Sequence, residues 1–256
     1  MIVIFNQFNL LKDKFEKVKR LGWIESTSNG RGNIGMTFER AIGITPNQFE
    51  IPDFAGIEIK TKQEFSTPYI TLFSATFDGA YLFEMKRITN SYGIDDSKMP
   101  GCKTFYTVVN AKRFTYLDNG LKLKIDVDYS NKKVYLCVFD INNRLIERQS
   151  YWSFELLKEK LERKLQYLAL VNAKRKFVNG KEYFYYYNIA FMKLKGFEYF
   201  LKLLADGNIK IYFKVGVYRS GSRVGKYCDH GTGFDIRSDD LRKLFSIIVW
   251  LGFMLK

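Results

Sequence analysis

Two acids and a lysine stand close together in the segment PDFAGIEIK, in the first quarter of the chain. In a strand, Glu58 and Lys60 point the same way because side chains alternate, while Ile57 and Ile59 face the core. Asp53 can fold back over them from the preceding turn. Two carboxylates can hold Mg²⁺, which polarises a phosphoryl oxygen and activates a water, and a nearby lysine can position that water. This pattern therefore suits metal-dependent cleavage of a phosphodiester.

The same acid and lysine pattern occurs a second time in the chain, and both copies also have a purely structural interpretation. Asp78, Glu84 and Lys86, in FDGAYLFEMK, fit the same template. We favour the first copy because Pro52 precedes its aspartate and because GIEIKT has both apolar neighbours facing inward. In the structural interpretation, the acids and lysines only form the solvent-exposed face of a sheet. Glu39, in a short helix predicted just upstream, could add a further carboxylate beside the metal.

Histidine and cysteine usage narrows the possible chemistry. His230 is the only histidine, so sites built on two histidines are excluded and carboxylates and lysine must act instead. Cys102, Cys137 and Cys228 lie far apart without a CxxC pair. Neither a disulfide framework nor a structural zinc site is indicated, and we expect a reducing compartment.

The charge balance favours a polyanionic partner. Forty-one lysines and arginines oppose twenty-seven acids, which leaves a formal charge of +14. Such an excess attracts nucleic acid, although a merely lysine-rich protein without any specific groove would show it too. Residues 245–255 (FSIIVWLGFML) are the most hydrophobic stretch but are shorter than the roughly 20 residues of a membrane-spanning helix. We expect a buried final strand or helix there, and no membrane partner.

Hydrophobic periodicity predicts a mixture of helices and strands along the whole chain. Helical spacing marks the N-terminal segment, which ends before Gly22, and MTFERAIG, SFELLKEKLERKLQYLALV and FEYFLKLLAD. Strand patterns mark GIEIK, ITLFSATF, YLFEMK, FYTVVN, LKLKIDVDY, KVYLCVFD, KEYFYYYN and IKIYFKVGVY, and RSGSRVGKYCDHGTGF is predicted as a glycine-rich loop. The interleaving predicts one mixed α/β unit spanning residues 1–256, with two lobes bracketing a cleft.

Four blocks of sequence, taken in order, resemble a known enzyme family. They are GNIGMTFE, PDFAGIEIKTK, YWSF and GVYRSGSRVGKYCDHGTGF, and they extend from the N-terminal third to the late glycine-rich loop. This order resembles the MvaI/BcnI restriction endonucleases, which are similar in turn to MutH, the mismatch-repair nicking enzyme. The resemblance implies a PD-(D/E)XK nuclease core, a mixed β-sheet flanked by helices. It also implies a catalytic lobe including about residues 30–140 and a DNA-recognition lobe including about residues 150–240.

The resemblance assigns roles to individual residues. It makes Asp53 and Glu58 the Mg²⁺ ligands and Lys60 the lysine that orients the water, with Glu39 as a helper. The late loop becomes a base-reading element, because Arg, Lys and His donate to guanine edges and Asp can accept from cytosine. Its expected DNA contacts, together with one lysine beside the catalytic segment, are Lys62, Tyr218, Arg219, Arg223, Lys226, Asp229, His230 and Thr232.

The recognition block departs from the family pattern, and its residues have a structural alternative. The family commonly has a histidine where Cys228 stands and an arginine where Asp235 stands. The C-G-rich targets of the family therefore do not carry over to this chain. A glycine-rich loop with scattered charge can also be merely solvated, and a lone histidine can be a surface residue.

The resemblance implies a type II restriction endonuclease that uses Mg²⁺ to hydrolyse double-stranded DNA at a short specific sequence. A monomer is expected, and a cognate DNA methyltransferase is the implied genetic partner. Two alternatives stay open at this point. One is a MutH-like, sequence-specific nickase of mismatch repair, and the other is a DNA-binding relative without catalytic activity.

Overall fold

A computed structural model describes residues 2–28, 30, 32–44, 51–66, 68–78 and 81–251. The described helices, in chain order, are α1 (Ile2–Arg20), α2 (Asn33–Ala41), α3 (Tyr81–Tyr92), α4 (Phe154–Leu165), α5 (Phe197–Ala205) and α6 (Leu241–Leu244). The first eight strands are β1 (Ile24–Glu25), β2 (Glu58–Gln63), β3 (Tyr69–Ser74), β4 (Ile94–Asp95), β5 (Lys103–Val109), β6 (Thr115–Tyr116), β7 (Lys122–Asp128) and β8 (Lys133–Phe139). The remaining strands are β9 (Leu145–Glu147), β10 (Tyr151–Ser153), β11 (Tyr167–Val178), β12 (Lys181–Leu194), β13 (Ile209–Val217), β14 (Tyr227–Asp229), β15 (Gly233–Arg237) and β16 (Phe245–Leu251).

The chain forms two compact units that alternate along the sequence. Unit 1 contains Met1–Ile70, Glu162–Lys195 and Leu241–Lys256, and unit 2 contains Thr71–Leu161 and Gly196–Asp240. These bounds differ from the lobe ranges expected from the resemblance, since each expected range is divided between both units. The physical reason is that strand pairing joins distant segments, so compact units do not follow chain order. The functional roles of the lobes stay a proposal.

Unit 1 is built on a sheet in which β2 is an edge strand. The strand order is β1-β12-β11-β2, and β16 also pairs with β12. β2 runs parallel to β11, whereas β12 is antiparallel to β1, β11 and β16. One core contains apolar side chains of α1, α2 and this sheet, among them Phe15, Phe38, Ile59, Val171 and Phe184. Burial of one stripe of each helix against the sheet therefore fixes β2 in place.

Unit 2 contains two sheets and an aromatic core. One sheet has the order β10-β8-β7-β6 with β9 on β8, and the other has the order β3-β15-β13-β5-β4 with β14 on β13. Trp152 is fully buried, stacks on Phe77 at 4.2 Å between ring centroids, and donates its indole N–H to the Ala75 carbonyl at 3.2 Å. The buried indole therefore has both a stacking partner for its ring and an acceptor for its N–H.

Most predicted elements are confirmed, and the fold class is mixed α+β. The N-terminal helix ends at Arg20, before Gly22, and the short helix that carries Glu39 is α2. The apolar stretch near the C-terminus forms β16 as far as Leu251, and its last residues lie outside the described part. Ile247 and Ile248 are exposed, so the prediction of a buried strand is wrong at these two positions. The three cysteines are free thiols. No helix in the described part of the chain is long and apolar enough to cross a membrane.

The prediction of a strand at YLFEMK is wrong, because this segment belongs to α3. Its buried residues Met85, Ile88, Thr89 and Tyr92 follow helical spacing. The six-residue window used for the strand prediction is too short to separate the two periods. Glu84 and Lys86 therefore lie on a helix rather than on a strand.

Two other sequence predictions need correction. The helix predicted over SFELLKEKLERKLQYLALV ends at Leu165, and its last residues begin β11, because a strand buried on both faces has no alternating pattern. Ser153 does cap α4, since its Oγ accepts the N–H of Leu156 at 3.1 Å. The glycine-rich segment is only partly a loop, because it contains β14 and the start of β15.

We expect Phe38→Ala to lower the free energy of unfolding by about 3–5 kcal/mol, because the lost ring leaves a cavity in the core of unit 1. Phe38 is fully buried, and its ring centroid lies 5.0 Å from that of Tyr186. Urea denaturation measures the change. Phe83→Ala, at an exposed position of α3, is the control and should change this free energy by less than about 0.5 kcal/mol. Equal effects of the two substitutions would contradict the packing described.

Candidate active site

A tight turn brings Asp53 back onto the beginning of β2. Phe54 and Ile57 form an isolated antiparallel bridge, and the two residues between them have positive φ angles, 44° for Ala55 and 90° for Gly56. Both central positions of a type I′ turn require positive φ, which suits glycine. Oδ2 of Asp53 then accepts the backbone N–H of Ile59 at 2.9 Å. The expected fold-back of Asp53 over the strand is therefore present.

Glu58 is a buried carboxylate paired with two lysines. Its side chain is 1% exposed, and its Oε1 lies 2.7 Å from Nζ of Lys60 and 3.4 Å from Nζ of Lys164. Ile57 and Ile59 are buried on the other face of β2, as the alternating pattern predicts. Oε2 of Glu58 is buried and has no hydrogen-bond partner among the described residues. A buried acceptor without a partner is costly, so this oxygen is available to a cation.

Glu39, on α2, is the third carboxylate of the site. Burial raises the pKa of the Glu39 carboxyl, and the negative charges of Asp53 and Glu58 raise it further. Burial also raises the pKa of Glu58, while the positive charge of Lys60 opposes this rise. The charges of the three acids are therefore coupled through space. Crowded carboxylates of this kind are stabilised by a divalent cation.

The donor set at this site fits a magnesium ion with few protein ligands. Among the described residues, no group of three or more His, Cys, Asp or Glu side chains has the arrangement of a metal site. The fit therefore rests on Asp53 and on the unpartnered oxygen of Glu58. Mg²⁺ commonly binds one or two carboxylates, with waters and substrate phosphates completing its coordination.

Lys164 was missed by the sequence analysis. It lies in the last turn of α4, directly before the strand that pairs with β2. Its position in a run of lysines and acids makes it look like an ordinary solvated residue. Only the parallel pairing of β2 and β11 brings its ammonium group to Glu58, so no local signal could have identified it.

The second acid and lysine segment does not assemble a similar site. Glu84 accepts hydrogen bonds from Arg87, at 2.8 Å to one guanidinium nitrogen, and the same arginine pairs with Glu147 at 2.6 Å. The Asp78 carboxylate accepts the backbone N–H of Ser153. Glu84 and Lys86 are two positions apart on a helix and therefore do not face each other. These groups form a structural network of unit 2.

Contacts within the candidate recognition loop, residues 218–232, and with Asp96 outside it hold two of its arginines. Arg219 donates two hydrogen bonds, of 2.6 and 3.1 Å, to Asp96, whose side chain is 2% exposed. The guanidinium of Arg223 lies over the ring of Tyr218 at 4.1 Å. The Asp96 contact was not expected from the sequence. It orients Arg219 and leaves the arginine's remaining N–H groups for other partners.

The other expected DNA contacts have different degrees of exposure. Lys226 and His230 are exposed, and Asp229 accepts the N–H of Gly231 at 2.7 Å. Thr232 is fully buried, with its hydroxyl beside the sulfur of Met85, and its expected contact with DNA stays a prediction. Packing of β15 into the unit 2 core explains that burial. Lys62, on β2, donates to the Ser66 hydroxyl at 3.0 Å.

Two positions that depart from the family pattern have structural contacts. Sγ of Cys228 is buried and lies 3.6 Å from Nε2 of His230. Asp235 accepts a hydrogen bond of 2.7 Å from the Thr71 hydroxyl. The departure of these two positions from the family pattern is what the resemblance implies, so an altered recognition chemistry stays a prediction.

Comparison with known proteins places this mixed α+β fold among the restriction endonucleases. The chain belongs to the MvaI/BcnI restriction endonuclease family, whose model matches residues 12–245. It is similar to the solved complex of restriction endonuclease MvaI with its cognate DNA substrate, with 32% identity, a TM-score of 0.86, and coverage of 94% of this chain and 98% of that chain. For MvaI solved in the absence of DNA, the identity is 28%, the TM-score is 0.59, and the coverage is 95% and 98%. The comparison with curated protein sequences gave no match.

We expect Asp53→Ala to lower the free energy of unfolding by about 1 kcal/mol more than Asp53→Asn does, because only the amide keeps an acceptor for the Ile59 N–H. Both substitutions remove the negative charge, so repulsion from Glu39 and Glu58 changes equally in the two variants. Urea denaturation of both proteins in EDTA gives the difference. Identical stabilities would show that this hydrogen bond does not hold the turn.

Proposed function

We propose that this protein is a type II restriction endonuclease that hydrolyses phosphodiester bonds in double-stranded DNA at a short specific sequence, with Mg²⁺. The observation that carries the proposal is the buried Glu58 carboxylate, with Asp53 beside it and Lys60 paired to it, in a chain of this family. Such carboxylate and lysine sets suit in-line attack of water on a phosphate. The match to a solved enzyme–DNA complex supports DNA as the substrate.

In this proposal Asp53 and Glu58 hold Mg²⁺. The bound ion supplies Lewis-acid stabilisation of charge on the scissile phosphate. Lys60, whose side chain is 25% exposed, donates a hydrogen bond that orients the attacking water. Glu39 adds negative charge that favours retention of the cation.

Lys164 is a further cation of the proposed site. Its side chain is 28% exposed, and it pairs with the same Glu58 oxygen as Lys60 does. When Lys60 engages water or phosphate, Lys164 keeps a positive charge beside Glu58. We assign it a positioning role, which maintains the orientation of the Glu58 carboxylate.

Recognition is assigned to unit 2 and catalysis to unit 1. Tyr218, Arg223, Lys226 and His230 present polar groups from the candidate recognition loop, while Asp96 holds Arg219 in a fixed direction. Charged side chains in such a loop can read base edges in a groove, and the surface lysines contact phosphates and set the position of the duplex. The altered positions 228 and 235 would give this enzyme its own target sequence.

The biological setting follows from the proposed activity. A restriction endonuclease requires a cognate DNA methyltransferase that protects the host genome. We therefore propose that such a methyltransferase is the genetic partner of this protein. We propose that the protein acts in the cytoplasm as a monomer. The PD-(D/E)XK core and the relation to MutH are part of this proposal.

Unmethylated phage DNA incubated with the protein and Mg²⁺ should give discrete fragments whose sequenced ends share one motif. EDTA should abolish the fragments, because the carboxylates then lack their cation. Gel electrophoresis and end sequencing measure both results. Nicked circular plasmid without linear product would favour the MutH-like nickase instead.

Two variants test whether the cutting comes from this site. Asp53→Ala and Lys60→Ala should abolish fragments and leave duplex binding in EDTA largely unchanged, since neither residue lies in the recognition loop. Full activity in either variant would contradict the site assignment. Binding without any cleavage by the wild-type protein would support a non-catalytic relative.

We expect Lys164→Gln to lower kcat about 10–100-fold, because a charge that orients the Glu58 carboxylate is lost. KM for DNA should change little, since Lys164 acts through Glu58. Lys158→Gln, at an exposed position of the same helix, is the matched control and should retain wild-type kcat. Equal kcat values for the two variants would contradict the positioning role assigned to Lys164.

A further inference from the structure

The hairpin formed by β11 and β12 carries a face of lysines and aromatic rings that the proposed mechanism does not use. Strand register places Lys174 opposite Tyr185 and Lys176 opposite Tyr183. Directly opposed residues of an antiparallel pair have their side chains on the same face. The lysines are exposed and the tyrosines are half-buried, so this set forms part of the surface of unit 1.

This hairpin face continues the sheet face that carries the catalytic residues. The parallel register sets Lys60 opposite Leu170, on the same face of the sheet. Side chains alternate along β11, so Leu170, Lys174 and Lys176 share that face. Val171 and Ala173, between them, are buried in the core on the opposite face. The lysines therefore follow the active site along one surface of one strand.

Aromatic rings hold these lysines in position. Nζ of Lys176 lies 4.4 Å from the ring centroid of Trp23, and Nζ of Lys174 lies 5.7 Å from that of Tyr187. Trp23 in turn contacts Tyr185, with 5.8 Å between their ring centroids. Lysine stems that lie along aromatic surfaces lose part of their rotational freedom before any ligand binds. The rings therefore restrict the positions that the two ammonium groups can take.

The positive charge of the face is not cancelled by its neighbouring acid. Glu25 pairs with Lys181 at 2.9 Å and accepts the Tyr183 hydroxyl at 3.1 Å. Within the part of the chain that the structure describes, Lys174 and Lys176 contact aromatic rings and make no ion pair. Two neighbouring cations on one face suit a ligand with regularly repeated negative charges, such as a nucleic-acid backbone.

We propose that this face, consisting of Lys174, Lys176 and their supporting rings, binds the phosphate backbone of the duplex flanking the cleavage position. The proposal rests on the proposed function, since it takes double-stranded DNA as the substrate. With a rise of about 3.3 Å per residue, Lys174 lies roughly 13 Å and Lys176 roughly 20 Å along β11 from the residue opposite Lys60. At about 3.4 Å per base pair, these lysines meet phosphates roughly four and six base pairs from the cut.

The test compares two double variants that remove the same charge from unit 1. The first is Lys174→Gln with Lys176→Gln, and the control is Lys17→Gln with Arg20→Gln at exposed positions of α1. Helix α1 packs into the core on the opposite face of the sheet. Fluorescence anisotropy in EDTA measures binding of a labelled mixed-sequence duplex of about 24 base pairs over a series of salt concentrations.

The hairpin variant should bind the long duplex about tenfold more weakly at ~0.1 M salt, and its slope of log K against log salt should fall by about 2. The control should remain within about twofold of wild type. A cognate duplex that extends only about three base pairs beyond the cut on each side should bind the hairpin variant and the wild-type protein equally. Equal losses in the two variants, or no loss in the hairpin variant, would overturn the proposal.

Two further measurements separate this proposal from its alternatives. If sedimentation shows a wild-type dimer that the hairpin variant disrupts, the face binds a second copy of the chain and the DNA proposal is wrong. The anisotropy measurement needs no cleavage, so it tests DNA binding separately from the proposed nuclease activity. If the wild-type protein binds DNA through the hairpin without cutting it, the binding proposal holds and the proposed nuclease activity is wrong. Thermal melting of both variants near the wild-type temperature confirms that each is folded.

Discussion

The parallel pairing of β2 with β11 is the contact on which the candidate site depends. It sets residues 58–63 beside residues 168–173, and the intervening chain contains most of unit 2. Parallel strands require a long crossover, and here that crossover includes the longer of the two segments of unit 2. The pairing fixes the face of β2 that carries Glu58 and Lys60, places the end of α4 beside Glu58, and extends the same surface into the β11–β12 hairpin. Without it, the acids and lysines would be an ordinary segment of charged sequence.

Burial of Glu58 gives this edge of the sheet its chemical character. A buried carboxylate is unfavourable unless it is paired, and two lysines approach one of its oxygens while the other has no partner in the described part of the chain. The apolar neighbours Ile57 and Ile59 anchor the strand on the core side, so the carboxylate cannot turn to solvent without disturbing the packing. One oxygen of this buried carboxylate therefore lacks a partner in the described part of the chain, which favours binding of a cation over binding of a neutral ligand.

Local patterns predicted the parts of this protein that depend on one segment at a time. Alternation in GIEIK identified β2 and the shared face of Glu58 and Lys60, and helical spacing identified α1 and α2 with Glu39. The same approach failed at α3, where a short window was ambiguous, and at the boundary of α4 and β11, where a buried strand lacks alternation. Thr232 was expected to face the DNA, whereas its side chain is buried. This burial depends on packing within unit 2, which a local sequence pattern does not contain.

Contacts between distant segments could not be predicted from the sequence. Lys164 joins the site through strand pairing, and Asp96 holds Arg219 from a different turn of unit 2. Each of these side chains has an unremarkable local context, so only the topology gives it a role. The resemblance to a family covered the motifs that relatives share, and it contained no information on these supporting residues.

The division of unit 1 among three chain segments affects how the protein is synthesised. A ribosome completes β2 long before it makes β11, and β16 is the last strand of this sheet to be made. Pairings between such distant segments form slowly, because loop closure must precede the contacts. Chains released before β11 is made therefore carry residues 53–60 without the strand that pairs with β2 and without Lys164 beside Glu58.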